Sequence, residues 1–226
     1  MEEVQKMKRT ITVKGTGHVS ARPDYITLAL SLTAADMEYE KAMEDGGRRI
    51  GLLEDAARRA GFAKGDLKTI SFHVNTQYES VPDRNGTYQR RFAGYACVYR
   101  LKLAFDFDSG RLAAVLAAIA DSKADPELNI SFSLRDPAAV GEELLAGAAA
   151  SARAKAEVLC RASGVELGQL LSIDYNWDEL SILSRTRFEM EDSVVPMMAA
   201  KSRALPEMEP DDIDLSDTAC FVWEIQ

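Results

Sequence analysis

The sequence of 226 residues predicts an α+β fold: a mixed, largely antiparallel sheet, or sheets, with helices packed on one face. Runs that alternate apolar and polar residues predict strands. They occur in adjacent pairs, which a doubly wound parallel sheet would not contain. Stretches with apolar residues at helical spacing separate these pairs. The predicted order along the chain is therefore ββαββαβαβ-loop-β.

The first half of the chain is predicted to contain two strand pairs around one helix. Pro23 separates the first two strands, because proline cannot donate to a strand ladder. Gly61 ends the helix as a left-handed cap, and Asn85-Gly86 predicts a hairpin tip between the second pair of strands. The predicted elements are strands 10–19 and 26–33, helix 37–60, and strands 67–78 and 92–107.

The second half is predicted to contain two helices, three strands and a long loop. Asp108 and Asp136 are predicted helix N-caps, and Gly164 ends the second helix. Periodicity fails over 178–215, which holds three prolines and four methionines and is predicted to be a mobile acidic loop. The predicted elements are a short helix from 109, strand 128–134, helix 137–163, strand 167–177 and strand 218–225.

Charge and length bound the domain organisation and the class of partner. Residues 1–9 are predicted to be an N-terminal extension and residues 10–226 a single domain, with two closely packed lobes as the alternative. The net charge of −9 arises wholly in 174–226, which has 13 acidic and 4 basic side chains. This excess repels phosphate backbones, so no nucleic-acid partner is predicted. The acidic segment is interpreted as a solvated face, with an acidic patch for a basic protein partner as the alternative.

The start of the chain and its cysteines predict the compartment. No signal peptide and no apolar run long enough to span a membrane is visible. Cys97, Cys160 and Cys220 are widely spaced and are predicted to be buried, reduced thiols. Reduced thiols without an export signal predict the cytoplasm.

No catalytic, cofactor-binding or metal-ligating motif occurs in the sequence. Gly15-Thr16-Gly17 lacks the third glycine and the following helix of a dinucleotide-binding fingerprint. We predict a bend at a strand end instead. Two histidines without a paired acid at fixed spacing specify neither a triad nor a metal site. The alternative is an enzyme with an unrecognised site on the strand ends, formed by His18, His73, Tyr78 and Arg100.

The acidic loop also contains the residues of a predicted interaction surface. Methionines recur at adaptable contact surfaces, and several of them lie here beside apolar side chains. The segment is predicted either to cover a partner subunit or to fold back on its own sheet. The candidate interface residues are Phe188, Met190, Val194, Val195, Met197 and Met198.

The order of several short motifs, from about Thr10 to Ile225, resembles the SIMPL-domain family of bacteria, a domain of unknown function. Each motif is weak alone, and their order carries the resemblance. The matching residues are Gly15, Gly17, Pro23-Asp24, Asp66-Leu67-Lys68-Thr69, Tyr78, Pro82, Gly94-Tyr95, Phe132-Ser133-Leu134-Arg135-Asp136, Lys155-Ala156, Gly164, Leu167-Gly168, Met197-Met198-Ala199-Ala200 and Val222-Trp223-Glu224-Ile225.

The resemblance implies properties that the residues alone do not indicate. The family has no established catalytic motif, its members are associated with stress tolerance, and some form rings or channel-like oligomers. Many bacterial members are periplasmic or envelope-associated. We therefore predict a non-enzymatic assembly or binding module that acts as a homo-oligomer, without a cofactor and with a further protein partner as an option. The alternatives are the enzyme described above and an envelope-associated scaffold.

Overall fold

The computed structural model describes residues 9–82, 87–175, 183–189 and 209–226. These residues form three helices and eight strands, so the predicted α+β class is confirmed. Their order along the chain is ββαββαβαβββ. The elements are β1 Thr10–Ala21, β2 Tyr25–Asp36, α1 Tyr39–Arg59, β3 Lys68–Pro82, β4 Tyr88–Asp106, α2 Ser109–Asp121, β5 Glu127–Ser133, α3 Pro137–Ser163, β6 Leu167–Tyr175, β7 Leu183–Glu189 and β8 Ile213–Ile225.

Two strands reach into the segment predicted to be a loop, 178–215. The strand β7 lies inside it, and β8 begins at Ile213, before the predicted start at 218. The start of β8 was missed because aspartates flank its first apolar residues. Ile213 and Leu215 are nevertheless buried and alternate with exposed polar residues, as in a strand with one covered face. The predicted hairpin tip at 83–86 and the stretch 190–208 lie outside the described residues.

The strands form two sheets in two compact units. The terminal unit holds the described residues of 1–23, 134–185 and 211–226, and the central unit holds those of 24–133 and 186–210. One sheet has three strands in the order β1-β8-β6, and the other has five in the order β3-β4-β2-β5-β7. The pairings β1–β8, β6–β8, β2–β4, β2–β5 and β3–β4 are antiparallel.

In the terminal unit, α3 packs very closely on β1. The small side chains of Ala148, Ala152 and Ala156 are fully buried along this contact. Gly15 and Gly17 lie in the middle of β1, and a Cβ at either would collide with a backbone carbonyl of α3. The Gly-Thr-Gly sequence is therefore not the predicted bend at a strand end. It is the seam at which strand and helix backbones meet.

In the central unit, α1 and α2 share one buried core with the same face of the five-stranded sheet, as the predicted fold class requires. Ile26, Leu28 and Leu32 of β2 are inaccessible to solvent and belong to this core. Gly46 allows α1 to approach the ring of Tyr99, since a Cβ there would lie 2.6 Å from ring atom Cε2. The opposite face carries polar and small side chains.

Candidate interaction surface

The strands β3 and β4 extend beyond the rest of their sheet as a two-stranded arm. Pairing of β2 with β4 ends at Asp36, which lies opposite Tyr95. Beyond that point β3 and β4 continue to pair with each other, from Gln77 opposite Gly94 to Pro82 opposite Tyr88. We call residues 77–82 and 88–94 the arm. An isolated two-stranded ribbon is marginally stable in water, so its side-chain contacts determine whether it keeps its shape.

A bulge aligns aromatic side chains along one face of the arm. The register shifts between Gln77 and Tyr78, which leaves an extra residue in β4 between Phe92 and Gly94. The shift places Phe92 on the same face as Tyr95, and their ring centroids are 5.3 Å apart. Tyr78 contacts Phe92 edge-on at 6.0 Å, and Tyr39 contacts Tyr95 at 5.7 Å. The rings thus form a continuous series.

A second pair of rings lies on the same face of the sheet, nearer the core of the central unit. Phe72 stacks on Tyr99 with the ring centroids 4.5 Å apart. At the far end of the continuous series, the guanidinium of Arg90 lies 4.7 Å from the ring centroid of Tyr78, a cation–π contact. We call the side chains Tyr39, Phe72, Tyr78, Phe92 and Tyr95 the aromatic face.

The aromatic face is largely open to solvent. Tyr78 is 50% exposed, Tyr39 48%, Phe72 43% and Phe92 36%. Since an aromatic side chain has about 150–250 Å² to bury, these four expose roughly 300–400 Å². The largest apolar patch on a typical monomer is about 300–600 Å², and such patches often serve a function. The aromatic face is therefore a candidate site of interaction.

The other face of the arm is polar. Glu79 lies opposite Arg91, and their side chains form an ion pair with 2.8 Å between Arg91 Nε and Glu79 Oε1. Both side chains are exposed to solvent, so the pair adds little stability. The two faces of the arm thus differ sharply: one is aromatic and the other is charged and solvated.

Three side chains of the central unit have shifted pKa values, and none of these shifts makes the side chain reactive. Burial raises the pKa of the Cys97 thiol and of the Tyr99 hydroxyl, so both groups are protonated at neutral pH. The pKa of Asp45 on α1 is lowered, chiefly by its hydrogen bond with Arg48 and also by Arg49. Asp45 is therefore a fixed partner of two arginines and not a proton donor.

The structure does not assemble the four residues of the enzyme alternative. His73 and Arg100 are diagonal neighbours on the polar face of the central sheet, since His73 pairs with Val98. Tyr78 lies on the opposite, aromatic face of the same strands. His18 lies on β1, in the terminal unit. All four are exposed.

The clefts described in the central unit do not contain these four residues. One lies between α1 and α2, where Arg58 pairs with Asp55 and Arg59 donates to the backbone oxygen of Ala118 at 3.3 Å. These guanidinium groups are already engaged by the protein. Among the described residues, no group of three or more His, Cys, Asp or Glu side chains could hold a metal ion.

The six residues of the predicted interface are not tested by the structure. The backbone of Phe188 belongs to β7. Met190, Val194, Val195, Met197 and Met198 lie outside the described residues. Their role in an interface stays a prediction.

The aromatic face was missed in the sequence because the bulge breaks the alternation of β4. On this face, the residues of β4 before the bulge are even-numbered: Tyr88, Arg90 and Phe92. The residues after the bulge are odd-numbered: Tyr95 and Tyr99. A strict period of two assigns these groups to opposite faces. The usable signal was the density of aromatic residues on both sides of Asn85-Gly86.

All three cysteines are free thiols. Cys97 and Cys160 are buried, and Cys220 is partly buried. A thiol that is shielded from solvent and held protonated reacts slowly with oxidants. Burial therefore slows the oxidation of the Cys97 and Cys160 thiols.

Two curated relatives match most of the chain. Each is 28% identical to it over 206 residues, which cover 89% of this chain and 76% of the relative. Both are named "26 kDa periplasmic immunogenic protein". One is from Brucella melitensis biotype 1 and the other from Brucella abortus strain S19.

These relatives correct the prediction of a cytoplasmic location, which is wrong because both are named as periplasmic proteins. The prediction rested on a missing export signal and on reduced cysteines. Reduced cysteines do not identify the cytoplasm, because burial also slows the oxidation of thiols in an oxidising compartment. None of the helices in the described part of the chain has the length and hydropathy needed to span a membrane.

A family profile confirms the resemblance that the ordered motifs indicate. The SIMPL profile, described as "Protein of unknown function (DUF541)", matches residues 11–223. The match includes both units and the arm. The chain belongs to the SIMPL family, proteins of unknown function.

Proposed function

We propose that this protein is a non-enzymatic assembly module of the periplasm that works as a homo-oligomer. The observation that carries the proposal is the exposed aromatic face on the arm. Burying an aromatic side chain fully stabilises a complex by about 1.5–3 kcal/mol. Four half-exposed rings therefore supply roughly 3–6 kcal/mol of apolar burial, before the costs of association are subtracted.

A second exposed apolar surface supports assembly beyond a dimer. The strand β6 lies at the edge of the terminal sheet, and Leu170, Leu171 and Ile173 on it are 46%, 40% and 55% exposed. Exposed apolar patches often mark sites of protein–protein interaction. One self-complementary surface produces a dimer, whereas two different surfaces allow larger assemblies.

The absence of an enzymatic role is part of the proposal, and the separation of the candidate residues supports it. His73 and Arg100 share one open face, Tyr78 lies on the other face, and His18 belongs to the other unit. Catalysis by these groups would require them to converge in a shared cleft.

The stress role implied by the family resemblance is the physiological part of the proposal. A deletion strain that tolerates oxidants as well as the wild-type strain does would contradict it.

The periplasmic location is supported by the names of the two relatives. It can be tested together with self-association in intact cells. An amine-reactive cross-linker that enters the periplasm is applied, and the protein is then recovered from the periplasmic and cytosolic fractions. We expect the protein in the periplasmic fraction, with bands at multiples of its own mass. Recovery in the cytosolic fraction, or a single uncross-linked band, would contradict the proposal.

A further inference from the structure

The strand β3 has a free edge in the described part of the central sheet, and its sequence lacks the usual protection against pairing. It stands first in the strand order β3-β4-β2-β5-β7. Edge strands are normally protected by charges, prolines or bulges. The stretch 71–78 contains none of the residues Lys, Arg, Asp, Glu or Pro. Protective features lie at its two ends: a bulge at Ile70 on one side, and Glu79 and Pro82 on the other.

The unprotected stretch is self-complementary about Asn75. A two-fold axis perpendicular to the sheet pairs residue i of one copy with residue j of the other, and facing residues must point to the same side. With Asn75 on the axis, Phe72 of one copy faces Tyr78 of the other. Moving the axis to Val74 or Thr76 places Phe72 opposite Thr76 or Ser80 and loses this match.

The resulting register extends the aromatic face across both copies. Within one copy Phe72 stacks on Tyr99, and Tyr78 contacts Phe92. Pairing about Asn75 therefore produces a row of four rings over four adjacent strands: Tyr99 and Phe72 from one copy, then Tyr78 and Phe92 from the other. The two-fold axis creates a second, identical row. Cross-strand aromatic pairs of this kind are favourable in antiparallel sheets.

Charges on the opposite face agree with the same register. Glu79 of one copy faces Ser71 of the other, and Ser71 is paired with Arg100 in its own sheet. A carboxylate of one copy thus lies one strand away from a guanidinium of the other, and His73 lies diagonally beside it. No two like charges face each other across the proposed junction of the described strands.

From these observations we propose that β3 pairs antiparallel with β3 of a second copy of this chain, about a two-fold axis at Asn75. The two rings on β3 itself, Phe72 and Tyr78, are 43% and 50% exposed, so each has apolar surface that the facing ring of the other copy can cover. The proposal rests on the homo-oligomer proposed above and names the surface that forms it.

Cysteine cross-linking tests the register directly. Asn75 and Gln77 are both exposed and lie on the same face of β3, so they form a matched pair. In Asn75→Cys, the introduced thiols of the two copies would lie directly opposite each other at the axis, within disulfide range. The two copies of residue 77 would be separated by four residues along the strands, about 13 Å. Each variant is made with Cys220→Ala, because Cys220 is the least buried native thiol.

We expect Asn75→Cys to convert most of the protein, under mild oxidation, to a dimer that reducing agent dissolves. Gln77→Cys and His73→Cys should stay monomeric on denaturing gels when oxidised alone, yet form a mixed dimer when combined, because residues 73 and 77 face each other. Two results would overturn the register. One is equal cross-linking of Asn75→Cys and Gln77→Cys. The other is a lack of cross-linking both in Asn75→Cys and in the mixture of Gln77→Cys with His73→Cys.

Substitutions of the rings provide an independent measurement. Tyr78→Lys should lower the fraction of dimer in sedimentation velocity, whereas Tyr78→Phe should not. Tyr88→Lys is the control, since Tyr88 is 72% exposed on the same arm but lies on β4, away from the free edge. An equal effect of both lysine substitutions would overturn the proposal. If the wild type is oligomeric but Asn75→Cys fails to cross-link, only the β3 junction is wrong; if the wild type is a monomer, the proposed function fails as well.

Discussion

The contact between α3 and β1 gives the sharpest prediction about how the sequence determines the fold. Gly17 is buried in the middle of β1. A Cβ at this position would collide with the backbone oxygen of Leu144 and lie 3.0 Å from its Cα. A backbone carbonyl in a helix cannot rotate away as a side chain can. We therefore expect Gly17→Ala to displace α3 or β1 from its place.

The magnitude follows from the packing. Overfilling a tightly packed core costs about 1–3 kcal/mol. Any displacement also loosens the contact of Leu144 with Ile213 and Leu215, which form one buried cluster with it. We expect Gly17→Ala to lower the free energy of unfolding by about 2–3 kcal/mol.

The assay is urea unfolding followed by circular dichroism. Gly141→Ala is the matched control, because Gly141 belongs to the same helix and a Cβ there meets nothing within 4 Å. That control should raise the free energy of unfolding by about 0.5–1 kcal/mol through helix propensity. If the free energy of unfolding of Gly17→Ala lies within about 0.5 kcal/mol of the wild-type value, a range typical of surface substitutions, the close approach of strand and helix is wrong.

Three further predictions concern charge, thiols and the unassigned segment. Asp45→Asn should destabilise the protein at neutral pH, and the difference from wild type should vanish in acid. The folded-state pKa of Asp45 lies below the ordinary value of 3.8, so the ionised carboxylate stabilises the fold above that value and this stability is lost as the pH falls through the lowered pKa. Denaturation at several pH values measures this difference. Native-state alkylation, read by mass spectrometry, should label Cys220 before Cys97, since burial raises the pKa of the Cys97 thiol; equal labelling would refute the burial argument. Deleting 190–208 should leave a folded protein with a smaller oligomer by light scattering, and an unfolded product would show that the segment is core packing.

Much of the fold could be predicted because each helix and most strands carry local signals. Asp136 accepts hydrogen bonds from the backbone N–H groups of Ala138 and Ala139, as the predicted cap requires. Gly164 ends α3 with φ +69°, a left-handed conformation that glycine adopts without strain. These features depend on a few neighbouring residues, so the sequence alone displays them.

The division into two sheets could not be predicted, since it depends on pairing between distant residues. β1 pairs with β8 over their full lengths, from Thr10 opposite Glu224 to Ala21 opposite Ile213. The alternation within β1 shows that one face is buried, but not which strand lies beside it. The role of Gly15 was likewise hidden, because it depends on the position of Ala148 in α3, far along the chain.

The aromatic face illustrates how a single irregularity conceals a site. Tyr78 and Phe92 are adjacent in space because the register shifts between Gln77 and Tyr78. A bulge changes which residues share a face, and no rule of alternation places it. The sequence instead predicts an interface in the methionine-rich loop, where the composition is unusual.

Self-association is the central claim, and the mass of the wild-type protein in solution tests it most directly. Static light scattering across the micromolar range, at low and at high ionic strength, measures that mass. We expect an integral multiple of 24.8 kDa, with association stronger at high salt because the net charge of −9 opposes the approach of two copies. A constant mass of 24.8 kDa at every concentration and both ionic strengths would contradict the claim.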